Sequence, residues 1–186
     1  MAPMRRYVTA FLFALFATAP VLPHAQERLA PYAATPIEIV DRMLNLAGVG
    51  TDDVLYDLGS GDGRIVIRAA QRFGTRGVGV DIDARLVEQA RENARKVKVD
   101  HLVEFRLQDA MTVDVSEATV VTLFLQSASN LKLRPILTRR LRPGARIVSH
   151  AFEMGDWKPD VEDTFRDAFG TNRTIFLWKA DGVVRP

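Results

Sequence analysis

The chain has 186 residues, enough for one domain with a substantial core and too few for two comfortable ones. Apolar residues make up 47% and charged residues 26%, the balance of an ordinary globular protein, and there is no cysteine. Disulfides, thiolate nucleophiles and cysteine-held metals are therefore excluded, and the scattered His24, His101 and His150 do not suggest a metal site.

The first 25 residues differ from the rest. Arg5 and Arg6 precede an apolar run from Tyr7 to Val21, and Pro23-His24-Ala25 follows. That order describes a secretory signal peptide cut near Ala25. An uncleaved membrane anchor is the alternative, because the run is close to the minimum that spans a bilayer. The expected organisation is a signal or anchor over 1–25, an extended arm over 26–35 and a folded domain over 36–182. The domain would be exported, periplasmic or secreted, with membrane contact only through the N-terminal segment. Residues 1–25 hold two arginines and no acid, so residues 26–186 are formally neutral and give no support to a nucleic-acid partner.

Thr35-Pro36-Ile37-Glu38 reads as a capping box opening a helix to about Ala47, with Ile39, Val40, Met43, Leu44 and Ala47 on its buried face. Val54-Leu55-Tyr56 reads as a strand ending at Asp57, and Gly63 to Phe73 as a helix. Gly77 to Val80 is a second strand, ending at Asp81. Asp83 caps a long helix to about Val97. Leu102 to Leu107 is a third strand before Asp109, and Thr119 to Leu125 a fourth, apolar enough for a sheet centre. Leu131 to Leu141 is helical, with Pro135 expected in its first turn or at the start of the helix proper. Arg146 to Ser149 and Thr174 to Trp178 complete the strands. Alternation at this spacing predicts an α/β fold: a doubly wound, Rossmann-like, mostly parallel sheet with helices on both faces, preceded by an N-terminal helix.

Chemistry concentrates at the strand ends. Asp57-x-Gly59-x-Gly61-x-Gly63 joins a strand to a helix, and its glycines permit positive φ and close approach of a ligand to the backbone. Asp81 lies 22 residues after Gly59, where a carboxylate can accept from both hydroxyls of a ribose. Asp109 ends the third strand, where it could meet an adenine edge. A dinucleotide fingerprint would read Gly-x-Gly-x-x-Gly beside a pyrophosphate. Here the spacing differs and the loop carries Asp57 and Asp62, which would repel a pyrophosphate but suit the amino group and sulfonium of S-adenosylmethionine.

Three segments carry a resemblance. Tyr32-Ala33-Ala34-Thr35-Pro36, Asp57-Leu58-Gly59-Ser60-Gly61-Asp62-Gly63-Arg64 and Gly79-Val80-Asp81-Ile82-Asp83 look like class I methyltransferases. More narrowly, they and the stretch from Leu141 to His150, with Phe152 and Asp156-Trp157 after it, resemble a small group. It includes the mitochondrial lysine methyltransferases of the ATP-synthase c-subunit and the adenine nucleotide translocase. The likeness covers roughly residues 31–180. It implies S-adenosylmethionine as cofactor, with Asp57, Gly59 and Gly61 along its methionine portion, Asp81 at the ribose, Asp109 at the adenine and Ser60 also among the cofactor-binding residues. Tyr32 and Thr35 would close over it from the arm. The implied activity is N-methylation of an amine, a protein lysine being favoured.

The chain departs from the group after the fourth strand, where Phe124-Leu125-Gln126-Ser127-Ala128-Ser129-Asn130 replaces a proline-containing motif. Gln126, Ser127 and Asn130 could orient an acceptor amine, or could be a polar loop capping the next helix. His150 is a candidate base, or a hydrogen-bonded loop residue. Phe152 and Trp157, with Glu153 and Asp156, could wall a cationic side chain, or could be a packed loop. Arg134, Arg139, Arg140, Arg142 and Arg146 read as a solvated helix face. Two further readings stay open: a non-catalytic S-adenosylmethionine-binding module, motivated by the altered loop, and an NAD(P)-dependent reductase.

Overall fold

The structure, a computed structural model, describes residues 33–186. The targeting segment and Tyr32 lie outside the described residues. The elements run α1 (Ile37–Leu46), β1 (Val54–Leu58), α2 (Arg64–Phe73), β2 (Arg76–Asp81), α3 (Ala84–Lys96), β3 (Val103–Leu107), β4 (Val120–Leu123), α4 (Ser127–Arg140), β5 (Arg146–His150), β6 (Val161–Arg166) and β7 (Asn172–Lys179). The seven strands form one mixed sheet in the order β3-β2-β1-β4-β5-β7-β6. β1 to β5 are parallel, and β7 runs antiparallel to both β5 and β6. The order reverses between β1 and β4, so a cleft opens at the carboxyl ends of these two strands.

Side-chain alternation along the strands divides the core into two layers. Leu55, Val120 and Val148 face one way, packing with Ile39, Val40, Met43 and Leu44 of α1, Val66 and Ala70 of α2, and Ala90 of α3. Tyr56, Leu58, Val121, Leu123 and Ile147 face the other, against Leu133 and Leu137 of α4 and against Met154, Trp157 and Trp178. Among the described residues, helices cover both faces, three on one and one on the other. Among the described residues, no helix is long and apolar enough to cross a membrane.

Several local expectations change. Thr35 is not the cap of α1: Pro36 holds that position with extended ψ, and no side chain caps the helix. Glu38 instead reaches the hairpin between β6 and β7 and accepts from the Ala168 backbone at 3.2 Å. α4 begins four residues earlier than predicted, so Pro135 is interior rather than in the first turn. Half-buried Pro135 is tolerated because packing of Leu133 and Leu137 sustains the helix around it. β6 has no counterpart among the predicted strands. Its acid-containing sequence Val-Glu-Asp-Thr-Phe-Arg lacks an apolar run, and pairing with β7 is what makes it a strand.

The arginines also depart from a simple solvated face. Arg134 is buried, donating to the Met154 carbonyl and pairing with Asp156. Arg146 is half-buried, pairing with Asp53 while donating to the Ala47 carbonyl. Arg139, Arg140 and Arg142 are exposed as expected, although Arg140 also donates to the Val113 carbonyl.

Candidate functional site

β1 ends in Asp57 and Leu58, and the chain then turns through Gly59, Gly61 and Gly63 with φ of 85°, 53° and 80°. A side chain is excluded twice over at Gly63: its φ is positive, and an added Cβ would lie 2.6 Å from the Phe105 ring and 2.8 Å from Ala90. The Gly59 and Ser60 amides both donate to the Val80 carbonyl at 2.9 Å, tying the turn to β2. The Gly61 amide donates to one oxygen of Asp81 and the Asp83 amide to the other, each at 2.9 Å. Asp81 is thus fixed at the end of β2, with lone pairs left for two hydroxyl donors.

Asp57 is 2% exposed. Its carboxylate accepts from the Thr122 hydroxyl at 2.7 Å across the β1–β4 register. Burial pushes its pKa up to about 7; the Thr122 hydrogen bond opposes this, and the neighbouring charges of Asp81 and Asp62 add to it. Asp62 is not the bare carboxylate the charge argument assumed. Arg64 grips it through Nε and Nη2 at 2.9 and 2.6 Å, and donates from Nη1 to the Thr35 carbonyl at 3.0 Å. The negative character of the loop therefore rests on Asp57 and Asp81, and Arg64 couples the end of the arm to the turn.

Thr35, Asp57, Gly59, Ser60, Gly61, Asp81 and Asp109, widely separated along the chain, line one cavity. Asp109 is held there by accepting from the Met111 amide at 2.9 Å. Ile65, Ile82, Leu86, Ala110 and Phe124 are among the remaining wall residues and were not assigned to the site from sequence. The signal for two of them was present: Ile82 directly follows Asp81, which ends β2, and Ala110 directly follows Asp109, which lies two residues beyond the end of β3 rather than ending it as expected. An apolar slot between two strand-end carboxylates suits a flat aromatic base joined to a sugar.

The predicted acceptor residues are placed differently. Gln126 is exposed at the N-cap position of α4 and makes no side-chain cap. Asn130 and His150 are fully buried. His150 ends β5 rather than following it, and burial, aided by the Arg173 charge, pulls its pKa down to about 4. The imagined aromatic wall is split. Phe152 stacks on Phe124 with centroids 6.1 Å apart, whereas Trp157 packs on Trp178 at 6.0 Å beneath the guanidinium of Arg185. Asp156 is engaged by Arg134. Trp178 is core, and His101 is an exposed turn residue. Among the described residues, no group of histidines and acids could hold a metal ion.

The features of this cavity fit one cofactor. Ser60 Oγ is buried with no hydrogen-bond partner among the described residues, the glycine turn leaves backbone open to a ligand, and the two carboxylates suit a cationic one. Sheet order and cradle together define the class: a Rossmann-like methyltransferase that uses S-adenosylmethionine. More particularly, residues 57–161 match the model of the ANTKMT methyltransferase domain, and the chain belongs to that family. It is 42% identical over 149 residues to a protein-lysine N-methyltransferase of Saccharolobus islandicus, covering 80% of this chain and 92% of that one. It is 32% identical over 151 residues to the ATP-synthase c-subunit lysine N-methyltransferase of Xenopus laevis, covering 80% of this chain and 66% of that one. Among solved structures, a Salinibacter ruber protein described as an RNA methyltransferase, in complex with S-adenosyl-L-homocysteine, is 53% identical. It superposes with a TM-score of 0.77 over 82% of this chain and 97% of that one. The cofactor question is thereby settled against a nicotinamide.

Proposed function

We propose that this protein transfers a methyl group from S-adenosylmethionine to the ε-amine of a protein lysine. The observation that carries the acceptor is the 42% identity to a protein-lysine N-methyltransferase across nearly that enzyme's whole length. The bound donor supplies a methyl carbon activated by positive sulfur, so the protein must chiefly hold and align the reactants and exclude water. In this reading Asp81 receives the ribose hydroxyls, Asp109 and the neighbouring apolar slot take the adenine, and Asp57, Gly59, Ser60 and Gly61 meet the methionine portion. Thr35, held by Arg64, closes the arm side. Tyr32 is proposed beside it on the strength of the family resemblance.

RNA is the second reading, favoured by the description of the Salinibacter ruber relative. Charge argues for protein. Residues 26–186 are formally neutral, and Arg42, Arg64, Arg68, Arg146, Arg173 and Arg185 are all committed to carboxylates. A phosphate-tracking surface needs surplus cations. We also propose that residues 1–25 direct export or anchor the domain, since Arg5 and Arg6 before the apolar run favour an outward domain.

The test is tritiated methyl transfer from the donor into a cell extract, followed by protease or ribonuclease. Protease-sensitive label that amino-acid analysis places on lysine is the expected result. Label removed by ribonuclease alone would refute the lysine reading, and donor binding with no transfer to either would leave a non-catalytic module.

A further inference from the structure

Beyond the donor cavity, three anomalies meet at the end of β5. His150 is fully buried, yet neither ring nitrogen has a hydrogen-bond partner among the described residues. Asn130 Oδ1 is likewise buried and unpartnered. Ala151, which follows His150, adopts φ of 66°, a left-handed conformation that a residue with a Cβ resists. Buried polar groups without partners and strained backbone each destabilise a fold, and together they mark places kept for a ligand.

The surrounding contacts say which ligand. Phe124 lines the donor cavity, and its ring lies on His150 with centroids 4.3 Å apart; Phe152 stacks on Phe124 at 6.1 Å. Asn130 fastens this wall from α4. Its Nδ2 donates to Ser149 Oγ at 3.3 Å and to the Phe152 carbonyl at 3.1 Å, and Ser149 Oγ donates to the same carbonyl at 2.6 Å. His150 is closed off behind Phe124, so the stem of a lysine entering from the donor cavity reaches this unsatisfied acceptor only when the Phe124 ring turns aside, and the imidazole then offers a partner to one amine N–H.

We propose that Phe124, His150 and Phe152 form the acceptor pocket, with His150 receiving an N–H of the uncharged substrate amine and Asn130 acting as the positioning residue for the wall. This rests on the amine-methylation reading given above. In the transfer, the nitrogen lone pair forms the new N–C bond while the C–S bond breaks with its pair going to sulfur. The proton of the resulting ammonium leaves to water. His150 orients rather than deprotonates, since an imidazole held near 4 is far too weak a base for an alkylammonium near ~10.4.

The experiment compares wild type with His150→Phe and His150→Asn, using tritiated donor and poly-L-lysine as acceptor, with donor affinity by calorimetry and thermal midpoint measured alongside. Phenylalanine is the better packing substitute beside Phe124 and removes the unpaired nitrogens, so its apo form should melt at or above the wild-type temperature. Asparagine packs worse but keeps an acceptor oxygen. The expected result is a loss of kcat of about 30-fold or more in His150→Phe, a smaller loss in His150→Asn, and donor affinity within about twofold for both. Turnover in His150→Phe equal to or above that of His150→Asn would overturn the proposal. A wild-type protein that binds donor but labels neither poly-L-lysine nor any lysine of a cell extract would refute the amine reading itself, a distinct outcome.

Discussion

Replacing Asp57 with asparagine should make the empty protein more stable at pH 8 and at the same time weaken donor binding. The carboxyl is buried against Thr122, with Asp81 and Asp62 nearby, and its pKa rises from 3.8 to about 7. A group whose folded pKa lies above its unfolded value costs nothing when both states are protonated, below about 3.8. The cost grows as pH rises through the window from 3.8 to about 7 and is constant above it. At ~1.4 kcal/mol per pH unit the full cost is about 4 kcal/mol, an upper figure because local water and relaxation reduce it. Asparagine keeps an acceptor for the Thr122 hydroxyl and removes the charge. The difference in unfolding free energy between variant and wild type should therefore be near zero at about pH 4 and favour the variant by roughly 1–4 kcal/mol at about pH 8. Taking the difference cancels the other carboxylates. Donor affinity should show the mirror image. A cation beside Asp57 stabilises its ionised form, so wild-type binding at about pH 6 releases up to one proton, and affinity climbs as pH approaches about 7. In the variant this climb disappears. Urea titrations across pH, with calorimetry in buffers of differing ionisation enthalpy, measure both quantities. A variant whose stability relative to wild type does not change between these two pH values refutes the reasoning.

The glycine turn gives a second test. Gly63→Ala meets Phe105 and Ala90 at φ of 80°, whereas Gly144→Ala has an even larger φ, 89°, with nothing within 4 Å of the added carbon. Gly144→Ala should lose about 1–2 kcal/mol from backbone conformation alone, and Gly63→Ala a further ~1–3 kcal/mol from overpacking. Equal losses in chemical denaturation would show that the contacts around Gly63 do not resist the methyl group. The reaction itself should show that no side chain deprotonates the amine: at saturating donor, kcat/KM rises about tenfold per pH unit between roughly pH 7 and 9, following the free-amine fraction. A plateau beginning near neutrality would instead reveal a base within the protein.

How legible these features are in the sequence depends on how local their causes are. α2 and α3 are readable because a short window contains everything that makes them: a turn or cap, an apolar period matching the helical turn, and a stop. At α1 the same local logic misleads, since Thr-Pro-Ile-Glu satisfies a capping pattern while Glu38 finds a better use across the fold at Ala168. β6 is invisible for the opposite reason. Its side chains are exposed or half-buried throughout, and only β7 gives its backbone a partner. Arg134 and Arg146 look like solvent-facing charge until distant segments supply their acceptors, Met154 for one and Ala47 for the other.

The same distinction separates the two ends of the site. The donor cradle is written in short spacings because the sheet turns a strand, a glycine loop and two following strand ends into adjacent positions. Each acid sits at or just beyond a strand end that the sequence already marks. The acceptor end has no such grammar. Phe124 comes from the end of β4, Asn130 from the first turn of α4, His150 from β5 and Phe152 from the loop beyond, and only the packing of those four segments leaves an imidazole without a partner among the described residues. A polar stretch such as Gln126 to Asn130 therefore suggests exposed hydrogen-bonding groups, although burial selects Asn130 and leaves Gln126 in solvent. If the proposed acceptor pocket is right, substitutions on these four segments would change what is methylated while leaving the donor loop intact, because none of them belongs to the turn from Asp57 to Gly63.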